Sequence, residues 1–183
     1  MNSFEIENIL DSFSVLVDTR EQPTERALKR YARFGVPYQK ATFSYGDYTF
    51  QCEIDGTPLM DVSDTIYPLC AIERKMNLDE LAMCFTKDRK RFQAEFERAK
   101  EHNARIYLLV ENATWENLLN GKYRSKLNPK AFVASVLAWQ SRYDMKLIFC
   151  KEETSGQLIK EILYRELKER LNNGLDKTRS ETS

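Results

Sequence analysis

The sequence predicts a three-layer α/β domain built on a central mixed sheet. Short apolar strands alternate with amphipathic helices along the chain, the pattern that sandwiches one sheet between two helical layers. One strand, Arg105–Val110, is apolar almost throughout, as expected of a strand covered on both faces. The length of 183 residues gives room for one proper core and is short for two.

In order, residues 1–12 read as a short polar helix or arm, and Phe13–Val17 as an apolar strand. Pro23 starts a helix through Tyr31, since its fixed φ suits a first turn. Ala27, Leu28, Tyr31 and Phe34 fall on one side, and Gly35 ends it. Val36–Phe43 is a strand, and Gly46-Asp47 turns into the next. Asp55-Gly56 is a two-residue hairpin turn between Tyr48–Ile54 and Thr57–Met60. A loop over Asp61–Pro68 leads to the strand Cys70–Lys75 and a short helix from Asn77 to Cys84. Asp88–Glu101 is strongly helical, with Phe92, Phe96 and Ala99 at helical spacing. After the apolar strand, Asn112 or Thr114 caps a helix ending at Gly121. Pro129–Ser141 carries Phe132, Val136 and Trp139 on one stripe, with Val133 and Leu137 beside it. Lys146–Cys150 is the last strand and Glu152–Leu171 a long helix. Residues 1–172 thus form the domain, and the polar tail 173–183 is expected to be disordered.

Composition removes several classes of function. There is a single histidine, His102, so His-rich zinc sites are excluded, Ser-His-Asp catalysis is not expected, and any metal should be held by oxygen. Cys52, Cys70, Cys84 and Cys150 form no C-x-x-C pair and are expected to be reduced core thiols of a cytoplasmic protein. No apolar run approaches membrane-spanning length, and the N-terminus lacks the basic flank of a secretory signal. The formal net charge is zero, so nucleic-acid binding depends on how charge is distributed. Lys87, Arg89, Lys90 and Arg91 cluster, as do Lys122, Arg124 and Lys126, and one basic face able to contact a DNA backbone is expected.

The chemistry concentrates on Cys70–Lys75. Side chains alternate along a strand, so Glu73 and Lys75 share one face and Arg74 takes the other. A carboxylate beside an ammonium at a strand end makes sense when a cation and a phosphate complete the charge balance. Upstream, Asp18 ends the strand Val15–Val17, and Asp47 follows Gly46. Asp18, Asp47 and Glu73 are the expected ligands of Mg²⁺ or Mn²⁺, ions that prefer oxygen. Lys75 is expected to orient or deprotonate the attacking water or to stabilise the transition state. Arg20 and Arg74 are expected to clamp phosphate or carboxylate, and Asp79, one turn into the next helix, to hold Lys75 or Arg74.

Gly46-Asp47, Glu73-Arg74-Lys75 and Asp79 together resemble the GD, ERK, three-residue gap and D of the XPF family of structure-selective endonucleases (ERCC4-type). The family's earlier D-x-R-E is matched by Asp18-Thr19-Arg20-Glu21, and its later segments by Arg91-Phe92 and by Ile106–Glu111. The resemblance implies a PD-(D/E)xK restriction-endonuclease-like fold. It implies Mg²⁺- or Mn²⁺-dependent hydrolysis of DNA at branches or single-/double-strand junctions, and roles for Glu21 and Arg91. It also implies a stand-alone form like those of bacteriophages, which would place it in the bacterial host's cytoplasm. A homodimer is expected through the nuclease domain, with Pro129–Trp139 or the last helix as seam. The helix-hairpin-helix pair that follows the nuclease domain in relatives has no counterpart here. The alternative is a non-catalytic DNA- or partner-binding subunit. Such subunits lose the acids or the lysine, whereas this sequence keeps them all.

Overall fold

A computed structural model of the protein describes residues 1–181, with side chains through Asn173. Helix α1 (Ser3–Asp11) is closed by a capping box between Asn2 and Glu5, and β1 (Ser14–Asp18) follows. α2 (Glu25–Ala32) starts later than Pro23 implies, because the Thr24 side chain caps it by accepting from the Ala27 N–H. Next come β2 (Tyr38–Ala41), β3 (Tyr48–Gln51), and the hairpin of β4 (Glu53–Ile54) with β5 (Thr57–Pro58). Asp55 and Gly56 at its tip both have positive φ, as a tight two-residue turn requires. β6 (Cys70–Lys75) leads into α3 (Leu78–Phe85), capped by Asn77, and α4 (Arg89–Glu101). β7 (Arg105–Glu111), α5 (Trp115–Leu119), α6 (Pro129–Tyr143), β8 (Lys146–Cys150) and α7 (Glu152–Glu181) complete the chain. Apart from Asn173, the tail 173–183 lies outside the described side chains.

Six strands form one mixed sheet in the order β2-β1-β3-β6-β7-β8. β1 pairs parallel with β2 and antiparallel with β3, and β6–β7–β8 run parallel to one another. α1, α2 and α7 cover one face around Val15, Val17, Phe50, Ile72 and Leu109. α3 to α6 cover the other around Ala71, Leu108 and Val110, where Phe85, Phe92, Phe96 and Trp139 interlock. The sheet is therefore the middle of three layers, as expected.

Two helix faces differ from the sequence pattern. Leu28 is 51% exposed and Leu137 48% exposed. On α2 the inward position one turn beyond Ala27 goes to Arg30, which is 4% exposed and is neutralised within the core. Gly156 allows that approach: a Cβ there would lie 2.2 Å from the Arg30 carbonyl oxygen, so α7 reaches the backbone of α2 only without one.

Candidate active site

The strand period of two sorts β6 as its sequence implied. Glu73 and Lys75 point to the α4 side, and the Lys75 Nζ donates to Glu73 Oε1 at 2.5 Å while lying 5.3 Å from the centre of the Phe92 ring. Arg74 points to the α2–α7 side. Asp47 is brought alongside by a tight turn. Gly46 has φ +77°, and a Cβ on it would sit 2.7 Å from the Ala71 Cβ, so only glycine lets this loop lie against β6. The Asp47 N–H donates to the Ile72 carbonyl at 2.8 Å, and its Oδ2 accepts from the Arg74 N–H at 2.7 Å.

The electrostatics follow from this crowding. Burial and the neighbouring Glu73 carboxylate hold the Asp47 carboxyl well above the usual range, against the pull of Lys75. Burial acts against the Lys75 ammonium, but Glu73 and Asp47 outweigh it and raise its pKa, so the amine stays charged. Asp47 and Glu73 offer only oxygen donors, and two acids that repel each other in a partly desolvated site are what a hard divalent cation relieves. The residues present fit Mg²⁺ or Mn²⁺.

The expected trio does not converge. Among the described residues, no three acidic, cysteine or histidine side chains come together closely enough to hold a cation. Asp18 is wholly buried and its carboxylate is already taken up. Oδ1 accepts from the Arg20 N–H and Nε, both at 2.7 Å, and Oδ2 accepts from the Phe43 N–H at 2.9 Å and from Arg20 Nη2 at 3.3 Å. What reaches Asp47 from this end of β1 is backbone: the Asp18 N–H donates to the Asp47 carbonyl at 2.9 Å. Arg20 is thus a carboxylate clamp, and its half-exposed guanidinium also feels Glu95 and Asp47.

Arg74 is a carboxylate clamp as well. Its Nη1 donates to Glu111 Oε2 at 3.1 Å, and its Nη2 lies 3.7 Å from Glu21 Oε1. Glu111 is fully buried and also accepts from Arg30 Nε at 3.0 Å and Nη2 at 3.3 Å, while the Tyr48 hydroxyl donates to Glu21 at 3.0 Å. Two arginines and two glutamates neutralise one another behind the strand. Arg74 Nε is buried, and among the described residues it has no hydrogen-bond partner. A cleft of about 350 Å³ opens beside them, lined in part by Arg20, Arg26, Arg30 and Arg74.

Asp79 holds neither Lys75 nor Arg74, contrary to expectation. Its carboxylate accepts from the Arg124 N–H at 2.7 Å, the Ser125 N–H at 2.8 Å and Arg124 Nε at 3.2 Å. It therefore anchors the loop that carries Lys122, Arg124 and Lys126, all exposed. Burial resists ionisation of Asp79, but these donors outweigh it and its pKa is lowered. Lys87, Arg89, Lys90 and Arg91 are exposed around the start of α4, and Arg91 lies 3.7 Å from Asp88.

Sequence reasoning missed Glu95. It is half-buried on α4, and burial followed by the nearby Glu73 raises its carboxyl pKa, against Lys75, Arg20 and Arg98. Nothing in Arg89–Glu101 sets it apart from the solvent-facing charges of that helix. The one available signal is its position midway between Phe92 and Arg98. Arg30, which binds Glu111 from α2, was missed for the same reason.

The family model of the ERCC4 domain matches residues 17–162, most of the chain. The chain belongs to the ERCC4 domain family. This ERCC4 domain is also similar in fold to two solved structures. XPF from Aeropyrum pernix matches with a TM-score of 0.55 at 20% identity, covering 82% of this chain and 64% of that one. XPF from Aeropyrum pernix in complex with DNA matches with a TM-score of 0.56 at 21% identity, covering 85% and 65%. The chain thus spans just under two thirds of the length of these relatives. No curated protein sequence matches it. Among the described residues, no helix is long and apolar enough to cross a membrane.

Proposed function

We propose that this ERCC4 domain is a divalent-metal-dependent endonuclease that hydrolyses DNA phosphodiester bonds at branches or single-/double-strand junctions such as flaps, forks and crossovers. The observation that carries it is the meeting of Asp47, Glu73 and Lys75 at the end of β6, where two acids repel and one ammonium stands beside them. Asp47 and Glu73 would hold the cation. When bound, it supplies Lewis acidity toward the phosphate and a water of lowered pKa.

This chain's own residues do the rest. Lys75, charged and pinned by Glu73, offers its ammonium to the negative charge that grows on the phosphate oxygens. The Arg74 N–H fixes the rotamer of Asp47, and the buried Glu111–Arg74 contact fixes Arg74 in turn. Water adds to phosphorus and the bond to the 3′ oxygen breaks, leaving a 5′-phosphate and a 3′-hydroxyl, as in similar enzymes. Lys122, Arg124 and Lys126, on the loop tied to Asp79, and Lys87, Arg89, Lys90 and Arg91 on the α4 side supply backbone contacts that are insensitive to sequence. We place the enzyme in the cytoplasm and its self-association at α6, whose exposed Leu137 supports that seam.

The test is cleavage of labelled flap, fork, four-way and linear DNAs with Mg²⁺, Mn²⁺ or chelator, with wild type beside Asp47→Ala. Metal-dependent cutting of the junction substrates, lost in the variant while DNA binding persists, is expected. Equal cutting by both proteins removes Asp47 from the chemistry. Binding without cutting by the wild type makes the domain a non-catalytic DNA-binding subunit.

A further inference from the structure

We propose that Glu95 of α4 is the third carboxylate of the cation site, joining Asp47 and Glu73. The inference deepens the metal-dependent reading above and rests on it. The placement of α4 carries the argument. Phe92 lies under the Lys75 ammonium at 5.3 Å. Six residues on, Arg98 donates to the Ser44 carbonyl through Nε at 3.1 Å and Nη2 at 2.9 Å, three residues before Asp47. One end of this helix face is therefore fixed to Lys75 and the other to the loop that presents Asp47. Residues advance about 100° around a helix at each step, so Glu95 lies between Phe92 and Arg98 both along the axis and around it. Its side chain, half-buried, therefore lies on the helix face that carries both contacts.

Charge decides what it does there. Lys75 offsets Glu73, Asp18 offsets Arg20, and Glu111 and Glu21 offset Arg30 and Arg74. Asp47 is one of two acids at this opening whose carboxylate has no ion pair, and a single such acid is little to hold a doubly charged, strongly hydrated ion. Glu95 is the other, and the Arg98 guanidinium near it is itself held by the Ser44 carbonyl. Among the described residues the Glu95 side chain makes no hydrogen bond or ion pair, in contrast to Asp18, whose oxygens are all engaged. With three side-chain torsions and no bond holding it, Glu95 is the acid at this opening that is able to swing onto an arriving cation.

The test uses Mn²⁺ alone, titrated calorimetrically into the full chain without DNA, so it does not depend on turnover. Wild type is compared with Glu95→Gln, Asp47→Asn and, as a control on the same helix, the exposed Glu101→Gln. Expected are Mn²⁺ binding by the wild type and by Glu101→Gln, loss of it in Asp47→Asn, and binding weakened roughly tenfold or more in Glu95→Gln. Melting in chelator checks folding. If Glu95→Gln does not fold, Glu95→Asp keeps the charge but draws the carboxylate back by one methylene, and binding weakened several-fold is expected. Wild-type affinity in whichever of these variants folds overturns the role of Glu95 and leaves Asp47 and Glu73 in place. Absence of Mn²⁺ binding by the wild type overturns both readings together.

Discussion

Glu111→Gln is expected to be among the most destabilising single substitutions in this fold, although it keeps the size and shape of the side chain. Glu111 has no exposed surface and faces two guanidinium groups, accepting from Arg30 at 3.0 and 3.3 Å and from Arg74 at 3.1 Å. Removing its charge leaves Glu21 as the one acid against two buried arginines, at 3.7 Å from Arg74 and 3.9 Å from Arg30. Breaking a buried pair from one side costs about 3–5 kcal/mol, because the remaining charge stays desolvated. For a chain of this size that is a fall in Tm of roughly 6–20 °C. Thermal melts of Glu111→Gln, Arg30→Met and the double variant measure it directly. The double variant should recover much of the loss, since removing Arg30 removes the charge left over. A Tm within about 2 °C of wild type for Glu111→Gln, under about 1 kcal/mol, refutes the claim that Glu111 holds this network together.

Further outcomes follow from single contacts. Gly46→Ala should cost about 2–4 kcal/mol, from a left-handed backbone and a Cβ that meets Ala71, and cleavage should fall with it because Asp47 is displaced. In chelator at neutral pH, Asp47→Asn should be more stable than wild type by about 1 kcal/mol. The sign follows from a carboxyl whose pKa is raised on folding. The native state holds the proton more tightly, so ionisation costs nothing below the ordinary carboxyl pKa, and the penalty grows as pH rises through the raised value. The advantage of the variant should therefore vanish in acid, and melts across pH check it. Asp79→Asn should loosen the loop around Lys122–Lys126, costing about 1–2 kcal/mol and several-fold in DNA affinity. Its lowered carboxyl pKa has the opposite sign: the stabilisation is present above the ordinary carboxyl range and is lost as pH falls through the folded value. Replacing Lys122 and Lys126 by alanine should reduce the slope of log affinity against log salt by roughly 2. A wild-type slope near zero removes the basic face.

Much of the fold could be read from the sequence because its signals are local. α3 follows Asn77 and α6 opens at Pro129, glycine marks the turns before β3 and after α5, and strand alternation on β6 separates Glu73 and Lys75 from Arg74. The mixed sheet followed from the order of elements. What was not legible depends on contacts between elements. The carboxylate of Asp18 closes on Arg20 and on the Phe43 N–H only because β2 and its loop pass the end of β1. Periodicity offered Leu28 as an inward residue of α2, but the core instead takes Arg30, which is paid for by an acid on β7. Asp79 looks like a neighbour of Lys75 on spacing alone, yet the loop after α5 comes back to meet it. Glu95 is hidden for a simpler reason: a lone glutamate in a charged helix is distinguished only by what faces it.

The most direct measurement is the position of Mn²⁺ in crystals soaked with it, located by its anomalous scattering. A single strong peak is predicted at the end of β6, within coordination reach of both Asp47 and Glu73 and beside Lys75. A peak held by other residues, or no peak at this place with Mn²⁺ well above the concentration that supports cleavage, contradicts the assignment of these two acids as the metal-holding pair.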